Sequence, residues 1–106
     1  MPQAGFQMTF RHMEPSAALR SAAEKELERW SQDQSGPTRC HVTVEQPHAK
    51  EAGGHMFRVH VHMHDCGRSF DGESEAHGED PYGTMHEAFG RLSRQRERAR
   101  GRRKAI

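Results

Sequence analysis

The chain has 106 residues, 32% of them apolar, and 16 Lys and Arg against 15 Asp and Glu give a formal net charge of +1. That length supports one domain around one modest core, and no stretch approaches the roughly eighteen apolar residues of a membrane span. Met1-Pro2-Gln3-Ala4-Gly5 lacks the regions of a signal peptide, and Cys40 and Cys66 alone make no disulfide framework, so a cytoplasmic protein is expected.

Met8 and Phe10 alternate with Gln7, Thr9 and Arg11, which predicts a strand near 6–11. Pro15 then stops the chain and Ser16 can cap a helix over 17–30. Leu19, Ala22, Ala23, Leu27 and Trp30 form its apolar stripe. Residues 31–38 read as a loop. Cys40, Val42 and Val44 alternate with His41, Thr43 and Glu45 in a second strand, and 47–54 form a polar hairpin loop. Phe57, Val59, Val61 and Met63 alternate with Arg58, His60, His62 and His64, the clearest two-residue period in the chain. Asp65-Cys66-Gly67-Arg68 predicts a tight turn. A fourth strand should start near Ser69, but only Phe70 is apolar before an acidic run, and 74–79 read as another loop. Asp80-Pro81 opens the last helix, because Asp caps well and Pro at the first helical position needs no hydrogen-bonded N–H. Tyr82, Met85, Phe89 and Leu92 mark its core face, which ends in Arg96 and Ala99; the helix is expected to fray near Gly101.

The order β-α-β-β-β-α predicts an α+β fold in two layers. Strands two to four form an antiparallel meander within a four-stranded, mostly antiparallel sheet. Both helices cover one sheet face and the other stays open to water. Residues 1–100 make up the domain and 101–106 a basic, disordered tail. Phe6, Phe10, Trp30, Phe57, Phe70, Tyr82 and Phe89 sit at apolar-face positions and are expected in the core rather than as platforms for stacked bases.

The charge is unevenly spread. Residues 91–106 hold Arg91, Arg94, Arg96, Arg98, Arg100, Arg102, Arg103 and Lys104 against Glu97, a formal +7, whereas residues 1–90 hold eight basic and fourteen acidic residues, a formal −6. Seven of the eight clustered cations are arginine, whose planar fork donates two hydrogen bonds to one phosphate. A basic segment on an otherwise acidic domain predicts a polyanion partner.

Three segments carry a family resemblance. Met13-Glu14-Pro15-Ser16-Ala17-Ala18-Leu19-Arg20 resembles the start of the first helix in the ribosome hibernation-promoting factor family, also called the sigma-54 modulation or ribosome-associated inhibitor family. Asp80-Pro81-Tyr82 through Phe89-Gly90-Arg91-Leu92-Ser93-Arg94-Gln95 resembles its second helix, and Val42-Thr43-Val44-Glu45-Gln46-Pro47-His48 is similar to the second strand of its short, single-domain form. The resemblance implies a domain similar to double-stranded RNA-binding folds. It implies binding to the small ribosomal subunit, to 16S rRNA in the channel of mRNA and tRNA, and inhibition of translation under stress. Carried over by position, the RNA-binding residues are Arg91, Arg94, Arg98, Arg100, Arg102 and Lys104, with Arg20 and Arg29 on the first helix. The sequence to Ile106 shows no counterpart of the extra domain by which long members pair ribosomes, so pairing by that route is not expected.

Two other classes compete. His60, His62 and His64 project from one strand face, with His41 beside them and Cys66 near in sequence, a pattern that can ligate zinc. No CxxC or HExxH accompanies them and a solvent-facing polar strand surface is the favoured reading, so no metal is expected and His60, His62 and His64 stand as the alternative site. A general RNA-binding module not tied to the ribosome is the other alternative. No nucleophile elbow, phosphate loop or dinucleotide fingerprint occurs, so neither catalysis, a cofactor, a small-molecule substrate nor a membrane partner is expected. The oligomeric state is left open.

Overall fold

The computed structural model describes residues 5–31, 38–46, 56–65 and 70–104, with backbone alone for 31 and 100–104. The elements follow the order β1 (Phe6–Arg11), α1 (Ala17–Ser31), β2 (Thr38–Glu45), β3 (Phe57–Asp65), β4 (Phe70–Gly78) and α2 (Pro81–Lys104). The loops predicted over 31–38 and 47–54 and the turn at 65–68, with Cys66, lie largely outside the described residues.

The sheet order is β1-β2-β3-β4. β1 runs parallel to β2 and the other two pairs are antiparallel. Register brings Val42 opposite Val61 and Val44 opposite Val59, so the alternation of each strand falls on one common face. That face meets the helices. Leu19, Ala23, Leu27 and Trp30 of α1 and Met85, Ala88, Phe89 and Leu92 of α2 are buried against Cys40, Val42, Val44, Val59, Val61 and Met63. Burial pushes the Cys40 thiol up to about 12, which leaves it an unreactive core residue.

Both predicted helix starts carry their caps. The amide of Leu19 donates to Ser16 Oγ at 3.1 Å, and that of Tyr82 donates to Asp80 Oδ1 at 3.1 Å. α2 continues through Lys104, past Gly101 where fraying was expected.

Two expectations are corrected. The segment 74–79 is not a loop, because β4 extends to Gly78. Its helix-facing positions are Gly72, Ser74, Ala76 and Gly78, small residues that let α2 lie close. A Cβ on Gly72 would sit 2.6 Å from the Phe70 ring, and one on Gly78 would sit 2.4 Å from Thr84 Oγ1. Ser74 Oγ donates to the Ala88 carbonyl at 2.6 Å and ties strand to helix. Tyr82 is not in the core either; it is 46% exposed, at the rim of the α2 stripe in its first turn. Thr84 and Ala88 complete that stripe instead.

Candidate nucleic-acid interface

Arg91, Arg94 and Arg98 occupy positions i, i+3 and i+7 of α2 and so share one helix face, away from the Met85–Leu92 stripe. All three are exposed. They differ in what holds them. Arg91 donates from Nη1 to the Glu75 carbonyl at 2.9 Å and from Nη2 to Glu87 Oε2 at 2.6 Å. With Gln95, which donates to the Glu73 carbonyl at 3.1 Å, it covers the free edge of β4. Arg94 and Arg98 make no hydrogen bond or ion pair among the described residues. The backbone of Arg100, Arg102 and Lys104 continues the helix, and their side chains lie outside the described residues.

Arg96 is different from its neighbours. It points inward, with its guanidinium 3.8 Å from the centre of the Trp30 ring. Trp30 Nε1 in turn donates to the fully buried Asp65 at 3.2 Å. Sequence reasoning placed Asp65 in a turn. The available signal was Trp30 itself, since a buried indole N–H requires an acceptor.

The two α1 candidates are separated from that face. Arg20 lies 5.2 Å from the Phe6 ring of β1, and it pairs with Glu24 at 3.7 Å. Arg29 pairs with Glu26 at 3.8 Å, and Glu26 also accepts from His86 at 2.8 Å. Arg29 and Arg96 both line a groove of about 180 Å³ between the helices. Arg29 is thus near α2, whereas Arg20 sits beside Phe6 of β1, the edge strand opposite β4.

The open sheet face holds the histidines. His41 stands opposite His62, and Thr43 opposite His60. His60 bonds to Glu73 at 2.8 Å, His62 to Asp71 at 2.9 Å and His41 to Thr9 at 2.9 Å, while His64 lies 3.6 Å from Asp71. His62 and His64 share Asp71, whereas His60 and His41 turn to Glu73 and Thr9. Among the described residues no three His, Cys, Asp or Glu side chains converge as a metal site would require. On the same face Glu45 accepts from Arg58 Nε at 3.1 Å and lies 3.6 Å from His12. The Arg58 hydrogen bond holds the Glu45 carboxyl below the usual glutamate range, against the opposing effect of its own burial. His77 does the same to Glu75, bonded at 2.8 Å. Among the described residues no helix is long and apolar enough to cross a membrane.

Comparison with known proteins agrees with this geometry. The crystal structure of the Thermus thermophilus Protein Y N-terminal domain superposes with a TM-score of 0.72 at 23% identity, covering 87% of this chain and 93% of that one. A ribosomal subunit interface protein from Coxiella burnetii gives a TM-score of 0.70 at 21% identity, covering 91% and 97%. Both share the fold. No curated protein matches the chain. The family model described as sigma 54 modulation protein / S30EA ribosomal protein matches residues 6–104, from the first strand to the end of α2, and the chain belongs to that family.

Proposed function

We propose that this protein binds the small ribosomal subunit, contacts 16S rRNA in the channel of mRNA and tRNA, and holds ribosomes inactive under stress. The observation that carries the reading is the exposed face of Arg91, Arg94 and Arg98 on a helix whose final segment is formally +7. The family and the subunit interface protein of the same fold point to the ribosome rather than to another polyanion. Folded rRNA is recognised largely by shape and backbone, so a row of arginines suffices without a base-reading code. Arg94 and Arg98 lead the contact set. Arg100, Arg102 and Lys104 extend it, with 101–106 serving as a basic extension of the domain. Arg91 joins after giving up Glu87, and Arg20 and Arg29, held by Glu24 and Glu26, contribute least. The protein acts by occupancy in the cytoplasm, without catalysis, cofactor or metal.

The test is binding to purified 30S and 50S subunits and to deproteinised rRNA from about 50 to 300 mM salt. Preference for 30S is expected. About five to seven phosphate contacts give a log–log slope of roughly −4 to −6, at about 0.7–0.9 per contact. Equal affinity for 30S and free rRNA would show a general RNA-binding module instead. A salt-independent interaction would sink the polyanion reading altogether.

A further inference from the structure

We infer that Arg96 is a positioning residue: it anchors the basic end of α2 to α1 so that the arginines beyond it meet RNA already aimed, and it is not itself a phosphate ligand. This rests on the RNA-binding reading above. Arg96 sits four residues after Leu92 and three before Ala99, both on the core side of α2, which puts it on the same stripe. Its guanidinium stacks 3.8 Å from the Trp30 ring centre, and Nη1 donates to the Trp30 carbonyl at 3.4 Å. Trp30 is in the last turn of α1, where helix carbonyls lack intrahelical partners and the dipole favours a cation. Trp30 is itself held, by Asp65 at the end of β3 at 3.2 Å and by the Phe70 ring of β4 at 5.8 Å. Four elements therefore meet on one guanidinium–indole stack.

The location explains the purpose. After Arg96 the helix runs on through residues 97–104, and among their described side chains only Ala99 packs against the core. Among the described side chains Arg96 is thus the last large one packed at the helix interface, and it fixes the direction in which Arg98 and the C-terminal cations are presented. Without it the helix end samples more directions, and affinity falls by the fraction of time it points correctly. The number of phosphates contacted in the complex does not change. Affinity and salt slope therefore separate an anchor from a ligand, since the slope counts neutralised phosphates.

Trp30 is the only tryptophan of the chain, so its fluorescence reports the anchor directly. The experiment compares wild type with Arg96→Gln, Arg96→Lys and, as a ligand control, Arg94→Gln. Acrylamide quenching and emission maximum are read on the free protein. Binding to 30S subunits is read across the salt range at a temperature where circular dichroism shows all forms folded. Arg96→Gln is expected to red-shift Trp30 and raise its quenching, and to lower affinity on the order of ten-fold with the wild-type slope. Arg96→Lys should recover part of both, because an ammonium can sit over the ring but lacks the planar stack. Arg94→Gln should leave Trp30 untouched and reduce the slope by about 0.7–0.9. A slope reduced in Arg96→Gln would make Arg96 a phosphate ligand and overturn the inference. So would undiminished affinity alongside a disturbed Trp30, which would leave Arg96 a stability residue only. If wild type shows no salt-dependent 30S binding, the aiming role falls with the RNA reading, while the fluorescence arm still decides whether the anchor exists.

Discussion

The two helices both carry arginine at the surface, yet they present very different charge. In α1, Arg20, Lys25 and Arg29 are matched in number by Glu24, Glu26 and Glu28, and the structure pairs Arg20 with Glu24 and Arg29 with Glu26. From Arg91 onward α2 holds eight cations and one acid. Even there the fold withdraws some: Arg91 is turned onto Glu75 and Glu87, and Arg96 onto Trp30. Arg94 and Arg98 are what stays open among the described side chains. A formal charge count thus overstates the charge available to a partner, because exposed ion pairs of small net worth still occupy the donor groups.

The largest effect that tests this contrast is charge reversal on each helix. Arg94→Glu with Arg98→Glu should weaken 30S binding by about 100-fold, which is roughly 2.7 kcal/mol. Arg20→Glu with Arg29→Glu should weaken it by no more than about three-fold, or roughly 0.7 kcal/mol. Far-UV circular dichroism should be unchanged in both. Comparable losses from the two pairs would show that α1 releases its glutamates on binding, and would remove the distinction between formal and available charge.

A smaller effect concerns acid stability on the open sheet face. Glu45 and Glu75 are each held below the ordinary glutamate range, first by a hydrogen bond from Arg58 and from His77 respectively. A carboxyl lowered on folding stabilises the native state fully above its unfolded value. That contribution is lost as pH falls through the unfolded value, 4.5, towards the lower folded one. Denaturant midpoints should therefore decline as pH drops below about 4.5, the ordinary glutamate region. Glu45→Gln should flatten part of the decline while leaving Glu75's share. An identical pH profile in Glu45→Gln would remove Glu45 as a contributor.

The order of elements, both N-caps and the register-bearing strands were legible because each depends on a local rule. Val59, Val61 and Met63 alternate with polar residues, and Ser16 and Asp80 stand one residue before a helix. What escaped depends on partners distant in sequence. β4 was read as short because its inward positions carry Gly72, Ser74, Ala76 and Gly78, chosen for the closeness of α2 rather than for hydrophobicity. Arg96 is legible as the end of the core stripe from its spacing after Leu92, but nothing local shows that Trp30 is the ring it stacks on. Asp65 was read as a turn residue because nothing local shows that Trp30, thirty-five positions earlier, needs an acceptor.

The smallest expected effect is on the histidine row, and its smallness is the point. His60, His62 and His64 have side chains 37%, 51% and 46% exposed, and their acidic partners Glu73 and Asp71 are 67% and 62% exposed. Pairs so open to water contribute about 0–1 kcal/mol each, since solvent screens them and ordering two side chains costs entropy. Glutamine keeps a donor for the same carboxylates and adds no charge. Replacing His60, His62 and His64 together by Gln should shift the denaturant midpoint only slightly, by about 0.5 kcal/mol or less in stability, as surface substitutions do. 30S affinity at neutral pH should stay within about two-fold, or roughly 0.4 kcal/mol. The clustered cations lie on α2, not on this face. Stoichiometric zinc in protein purified without metal affinity, absent from the triple variant, would instead give the row a ligand role. A large loss of 30S binding would place the open sheet face, rather than α2, against the ribosome.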